Sequence, residues 1–152
     1  MTTFPERLRA LHATPERIAV TLQFSNADAL PVSVDQLLRG ASSYASALAK
    51  AGIQPGEVVV LILQHGEPLL YAFWGTILHG AIPSIMPFLT EKLSPERYRA
   101  DLSALISVTQ PAAIITYPEF EAEVRSALKE GDSVREVLVT YQVEIQPQID
   151  FD

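Results

Sequence analysis

The sequence contains no cysteine among its 152 residues, which excludes a disulfide framework, a thiolate metal site and a cysteine nucleophile. Its seven glycines are widely spaced, so it has neither a G-x-G-x-x-G fingerprint nor a phosphate loop ending in Gly-Lys-Ser or Gly-Lys-Thr. The G-x-S-x-G elbow of serine hydrolases is also missing. The commonest sequence signatures of nucleotide binding and of covalent hydrolysis are therefore absent from these residues.

Basic residues are scarce: 11 Lys and Arg face 18 Asp and Glu, for a net charge of −7. The acidic excess is concentrated in residues 117–152, which hold nine acidic and three basic residues. Nucleic-acid binding requires a basic surface, so we expect no nucleic-acid partner. We interpret the acidic end as a solvated helix face and a polar tail, with a partner surface as the alternative.

Charged residues are absent from residues 68–90, a stretch long enough to span a bilayer. Pro83 and Pro87 lie in its second half, where each would remove a backbone donor that lipid cannot replace. We therefore expect a buried helix followed by a buried strand, and no membrane span. The first 20 residues carry five charged side chains and no apolar signal-peptide core, so we expect a cytoplasmic protein.

Apolar patterning predicts strands that alternate with helices. A short helix opens the chain before Pro15, alternation over residues 18–24 predicts a half-buried strand, and residues 30–32 suit an edge strand. Ser33 and Gln36 form a capping box for a helix that ends at Gly52, where a left-handed cap belongs. The later predicted elements are strand 58–63, helix 68–78, strand 81–86, a helix from residue 94, strand 112–116, helix 118–128 and strand 137–141. This order predicts an α/β fold with a mainly parallel sheet and packed helices.

The six apolar residues of strand 58–63 indicate a strand that is covered on both faces. His65 and Gly66 follow its carboxyl end, where open α/β sheets bind ligands, so they are the candidate ligand-binding residues. The alternative is a loop histidine bonded to backbone. No catalytic residue is predicted.

Other polar and aromatic groups favour structural roles. His12, His65 and His79 form no H-x-x-x-H pair, so we expect no metal site. Alternate spacing on a helix places Glu119, Glu121 and Glu123 on different faces, which argues against a catalytic carboxylate pair. The aromatic group Tyr71, Phe73 and Trp74 indicates core packing, with a substrate wall as the alternative.

Residues 30–83 combine a capped helix rich in small residues, a strand reading VVVLIL, a polar loop, the apolar helix EPLLYAFWGTILHG, and AIP. In order and spacing this run resembles the N-terminal part of adenylate-forming ligases: acyl-CoA synthetases, fatty acyl-AMP ligases and peptide-synthetase adenylation domains. That family has a Gly, two residues and Pro-Gly-Asp before the strand; Gly52 and Pro55-Gly56-Glu57 match, with Glu for Asp. The family's Lys-Ala-Gly-Ala turn corresponds to Leu78-His79-Gly80-Ala81, and residues 15–19 resemble its opening strand.

The resemblance leans toward the acyl-CoA synthetase and fatty acyl-AMP ligase branch, and hence toward fatty acid metabolism. It implies an N-terminal α/β subdomain over residues 1–145, with residues 146–152 leading toward an ATP loop beyond the chain. The parent enzyme would use ATP and Mg²⁺ to convert a carboxylic acid into an acyl-adenylate, followed by transfer to CoA or a carrier thiol. On this resemblance the chain is a scaffold, inactive alone and without a cofactor of its own.

The resemblance also implies partners: the remainder of the parent enzyme and, through apolar surface left open, a second copy in a homodimer. An alternative of a different class is a free-standing α/β binding or assembly module without catalysis.

Overall fold

The computed structural model describes residues 3–11, 13–25, 27–87 and 94–145; His12 and the expected tail 146–152 lie outside these residues. Five α-helices and six strands occupy the described part of the chain. In chain order they are α1 (Phe4–Leu11), β1 (Ile18–Leu22), β2 (Leu30–Ser33), α2 (Val34–Lys50), β3 (Val58–Ile62), α3 (Glu67–His79), β4 (Ile82–Ile85), α4 (Pro95–Thr109), β5 (Ala113–Thr116), α5 (Glu121–Ala127) and β6 (Glu136–Val139).

Four strands form one parallel sheet in the order β4-β3-β5-β6. The predicted α/β class and mainly parallel sheet are thus confirmed. Strands β1 and β2 form a separate antiparallel pair. Because this pair lies outside the main sheet, β1 buries less than its alternation predicts: Ile18 is 51% exposed and only Leu22 is buried.

Strand β3 is the centre of a three-layer arrangement. Val59 and Leu61 belong to an apolar cluster with side chains of α2 and α3. Val60 and Ile62 belong to a second cluster with side chains of α4 and α5. All four side chains are 0% exposed, so the strand is covered on both faces, as its unbroken apolar run predicts.

Helix α2 begins and ends where its sequence predicts. The Ser33 hydroxyl accepts a hydrogen bond from the Gln36 amide at 3.1 Å, and the Gln36 side chain accepts from the Ser33 amide at 2.9 Å. At the other end, Gly52 has a φ of +80°, and the Ile53 amide donates to the Leu48 carbonyl at 3.0 Å. This is a Schellman cap, which requires a left-handed residue at Gly52.

Replacing Gly52 with valine should destabilise the fold by on the order of 1–2 kcal/mol, the cost of a left-handed backbone for a residue with a Cβ. No atom lies within 4 Å of a Cβ built at Gly52, so the effect isolates backbone strain from crowding. Urea denaturation measures the change. Gly52→Asn is the control and should recover part of the loss, since asparagine tolerates this conformation. An unchanged midpoint for the valine variant would refute the cap.

Helices α2 and α3 pack closely because each presents a glycine to a tyrosine of the other. A Cβ at Gly40 would overlap the ring of Tyr71. A Cβ at Gly75 would lie 2.6 Å from both the Ala41 carbonyl oxygen and the Tyr44 Cβ. Neither glycine has a positive φ, so both are required for space rather than for backbone conformation.

The last strand differs from the predicted span of 137–141. Strand β6 ends at Val139, and Thr140–Gln142 form a short 3₁₀ turn. The Val139 amide donates to the Gln142 side-chain oxygen at 3.0 Å. The Gln142 side chain thus accepts a hydrogen bond from the last amide of β6 and begins the turn. The strand therefore ends earlier than the apolar pattern suggests.

Candidate functional site

The predicted residues His65 and Gly66 lie between the carboxyl end of β3 and the start of α3. After β3 the chain forms β4, which lies on one side of β3 in the sheet, and later β5, which lies on the other side of β3. The direction of winding therefore reverses between β3 and β5, and crevices at such switch points are where open α/β sheets bind ligands. His65 and Gly66 follow β3, one of the two strands that flank this reversal, and their role in ligand binding stays a prediction.

The two residues border a shallow groove of about 240 Å³. The rest of the lining is apolar: Leu22, Leu69, Leu70, Phe73 and Ile85. Strands β1 and β4 and helix α3 each contribute to it, which brings together residues far apart in the sequence. A groove of this composition suits an apolar group rather than a phosphate.

The imidazole of His65 is held in place from two sides. Its Nε2 lies 2.7 Å from the carbonyl oxygen of Gln23. Since a carbonyl only accepts, Nε2 carries the proton, and in a neutral ring Nδ1 is the remaining acceptor. The ring of Phe24 lies beside it, with centroids 5.0 Å apart. Within the described residues no carboxylate is bonded to His65, so its geometry suits positioning rather than acid–base chemistry.

The three aromatic side chains of α3 lie in different environments, one in the core and one at the groove. Tyr71 is buried against Gly40, as core packing predicts. Phe73 is half-buried and lines the groove, and its ring meets Trp74 edge-on with centroids 5.3 Å apart. One of the three side chains therefore lies where a ligand would contact it.

A second pocket, which the sequence reasoning missed, lies beside the first turn of α3. It measures about 410 Å³ and includes Tyr44, Glu67, Tyr71 and Tyr141 in its lining. The Tyr71 hydroxyl donates to Glu67 Oε2 at 2.9 Å. Glu67 and Tyr71 are four positions apart on α3, a spacing that brings side chains together on a helix, but the predicted helix 68–78 begins one residue after Glu67.

Glu57, which stands where the resembling family has Asp, has a structural role at the opposite end of β3. Arg135 donates to both its carboxylate oxygens, at 2.8 and 2.7 Å, and to the Gly52 carbonyl at 3.2 Å. The Arg135 hydrogen bond, together with one from the Gln54 amide, lowers the pKa of Glu57 to about 2. The carboxylate therefore joins the amino ends of β3 and β6 and takes no part in the groove.

Acidic residues of α5 pair with arginines. Glu121 lies 2.8 Å from Arg125, and Glu123 lies 3.8 Å from Arg99. Among the described residues, no group of three His, Asp or Glu side chains could hold a metal ion. In the same part of the chain no helix is long and apolar enough to cross a membrane.

The chain belongs to the AMP-binding enzyme family, whose profile matches residues 8–151. A stretch of 80 residues, 52% of this chain, is 34% identical to 4-coumarate–CoA ligase 2 of Petroselinum crispum and spans 14% of that protein.

Solved structures share the fold at lower identity. A fatty acid AMP ligase from Legionella pneumophila matches at a TM-score of 0.68 and 20% identity, over 91% of this chain and 23% of the other. A benzoate CoA ligase from Burkholderia xenovorans matches at 0.67 and 21%, over 94% and 28%. The adenylation domain of a keto acid-selecting peptide-synthetase module matches at 0.74 and 18%, over 99% and 28%. The chain therefore spans less than a third of these proteins, all of which are adenylate-forming ligases.

Proposed function

We propose that this chain is the N-terminal scaffold of an ATP-dependent ligase that activates a carboxylic acid as an acyl-adenylate. The observation that carries the proposal is the family match over residues 8–151, combined with coverage of only 14–28% of the similar proteins. Residues 1–145 would form a single subdomain, residues 146–152 would lead toward the ATP loop, and the remainder of the enzyme would be its principal partner.

The same proposal holds that the chain alone is inactive. ATP and Mg²⁺ would serve the whole enzyme, but the residues present do not fit them. Adenylyl chemistry depends on charges positioned around phosphate. The three lysines of this chain, Lys50, Lys92 and Lys129, all lie outside any glycine-rich loop. We assign the activation step to residues beyond this chain.

The substrate is proposed to be an apolar carboxylic acid, in an acyl-CoA synthetase-like reaction. The similar proteins include a coumarate, a benzoate and a fatty acid ligase, and all three acids have an apolar body. His65 and Gly66 would border the groove that contacts such a group.

A second candidate is a free-standing binding or assembly module. The observation that favours it is that the chain covers both faces of β3 with its own side chains. Ile82 and Ile85, 52% and 55% exposed on the edge strand β4, offer a surface for the predicted homodimer in either case.

Carboxylate-dependent exchange of labelled pyrophosphate into ATP tests the proposal. The purified 152-residue chain should give only background exchange with 4-coumarate, benzoate or a fatty acid. An intact AMP-binding ligase assayed in parallel is the positive control. The natural polypeptide that contains these residues should exchange with at least one acid. Exchange by the chain alone would overturn the assigned inactivity. Absence of exchange by the natural polypeptide would overturn the ligase proposal in favour of the module.

A further inference from the structure

The four-stranded parallel sheet has two edges, β4 and β6, whose outer sides pair with no strand among the described residues. An edge strand leaves a row of backbone N–H and C=O groups unpaired, and this row is a template for another strand. Along a strand the backbone groups of successive residues point alternately to its two sides, so every second residue faces outward. The bonds to the inner neighbour therefore identify the outward-facing residues of each edge.

Prolines remove most of the donors from the outer side of β4. The amides of Ile82 and Met86 donate inward to carbonyls of the β3 segment, at 2.9 and 3.0 Å. The odd-numbered positions between and beside them therefore face outward. Of positions 83, 85 and 87, Pro83 and Pro87 have no N–H, and only Ile85 offers a donor. The outer side of β4 therefore cannot form a continuous ladder with another strand.

The outer side of β6 retains its donors. The Arg135 amide donates inward to the Ala112 carbonyl at 2.8 Å, so Glu136 and Leu138 face outward. Neither residue is a proline, and their N–H and C=O groups have no backbone partner within the described part of the chain. Strand β6 therefore presents two donors and two acceptors in register for a further strand.

The open edge of β6 lies in a groove of about 470 Å³ between helices of the two layers. Ala47 and Ala51 of α2, with Val143, form an apolar wall on one face of the sheet, and Arg125 of α5 lines the other side. A second copy fits this groove poorly, because its own β6 edge lies between the same two helices. A single strand, apolar on the side that meets α2, fits it.

We propose that one strand from the remainder of a longer polypeptide extends the sheet at β6, whereas β4 remains an edge without backbone pairing. The inference rests on the proposed function, since the chain spans only 14–28% of the similar ligases. To match β6, which has four residues, the added strand is about four residues long. Its side chains alternate between apolar ones toward Ala47 and Ala51 and polar ones toward Arg125. Contacts at the β4 edge are limited to side chains.

Amide hydrogen exchange, read residue by residue by mass spectrometry, compares the natural polypeptide that contains these residues with the 152-residue chain. The Leu138 amide should exchange at least about tenfold more slowly in the natural polypeptide, because an amide in a ladder exchanges only when the strand opens. The outward Ile85 amide of β4 is the matched control and should keep its rate. Equal rates at Leu138 in the two proteins, or slowing at Ile85 as large as at Leu138, overturn the proposal.

Slow exchange of Leu138 already in the 152-residue chain would identify another occupant and also overturn the proposal. If the slowing depends on protein concentration, the occupant is a second copy. If it does not, and deletion of residues 146–152 abolishes it, the occupant is the chain's own tail.

Substitutions at Glu136, an exposed side chain, test the outward donor directly. Glu136→Pro removes this donor and leaves the inward bonds of β6, whereas Glu136→Ala removes only the side chain. In the natural polypeptide the proline variant should exchange Leu138 about tenfold faster, and the alanine variant should match the unsubstituted protein. The Val137 amide faces β5 and should keep its rate in both variants. A change at Leu138 no larger than at Val137, or an equal change in the alanine variant, contradicts the added strand.

Pyrophosphate exchange by the same natural polypeptide is read separately, so that the two proposals fail distinguishably. Catalysed exchange with an unprotected Leu138 overturns the added strand and leaves the ligase assignment. A protected Leu138 without catalysed exchange supports the added strand and overturns the ligase assignment.

Discussion

Replacing Gly75 with valine is expected to destabilise the protein by about 3 kcal/mol, at the upper end of the usual cost of overpacking. Even the first added carbon would lie 2.6 Å from the Ala41 carbonyl oxygen and from the Tyr44 Cβ. Both are fixed parts of α2 rather than ends of flexible side chains, so the clash is relieved only if the two helices separate. The helix propensity that valine gains over glycine, a few tenths of a kcal/mol, is too small to offset this.

The control is Ala49→Val, which enlarges a side chain on the exposed face of α2. It should change the free energy of unfolding by no more than about 0.6 kcal/mol, the propensity difference between alanine and valine. Guanidinium denaturation of both variants measures the two effects under the same conditions. If Gly75→Val lowered the denaturation midpoint no more than Ala49→Val does, α2 and α3 would not pack as closely as described.

Local elements of the fold follow from the sequence because their signals are local. Ser33 and Gln36 are three residues apart, and each satisfies a donor at the start of the same helix. Gly52 ends that helix by a bond between neighbouring turns. The strand at residues 58–63 is apolar throughout because both its faces are covered. In each case the residues that carry the signal lie within one element or directly beside it.

The pairings between elements could not be predicted from periodicity. Arg135 bonds to Glu57 across 78 residues of chain, and nothing near either residue identifies the other. The alternation of β1 indicates a half-buried strand but not which sheet it joins, so the exposure of Ile18 was unexpected. The fit of Gly75 against Tyr44 depends on how α2 and α3 cross, which neither helix specifies alone.

Some features of the candidate site could also be predicted from the local sequence, whereas others required the structure. The position of His65 and Gly66 after β3 follows from the rule that ligands bind at the carboxyl ends of parallel strands. The bond from His65 to the Gln23 carbonyl joins residues 42 positions apart and required the structure. The tyrosine-lined pocket draws on α2, α3 and the turn after β6, and only its Glu67–Tyr71 pair has a spacing that brings side chains together on one helix.

Replacing Leu102 with alanine is expected to destabilise the protein by about 2–5 kcal/mol, the range for deleting a fully buried leucine side chain. Leu102 is 0% exposed in α4, in the cluster that covers Val60, Ile62 and Ile114 on the second face of the sheet. The loss combines the hydrophobic transfer of the removed atoms with the cavity left between α4 and the sheet. Helix α4 lies outside residues 30–83, the run that carries the family resemblance, so the experiment tests a layer to which that run contributes no helix.

Val108 provides the matched control on the same helix, since it is 82% exposed. Val108→Ala should change the free energy of unfolding by no more than about 0.5 kcal/mol, as for other surface substitutions. Urea denaturation of both variants measures the two changes in the free energy of unfolding. The comparison assumes that this free energy depends on urea concentration equally in both variants. A large loss at Leu102 and none at Val108 would establish that α4 covers the sheet with the face containing Tyr98, Leu102 and Ile106. Similar small changes at both positions would mean that α4 does not pack on the sheet, leaving Val60 and Ile62 without their second layer.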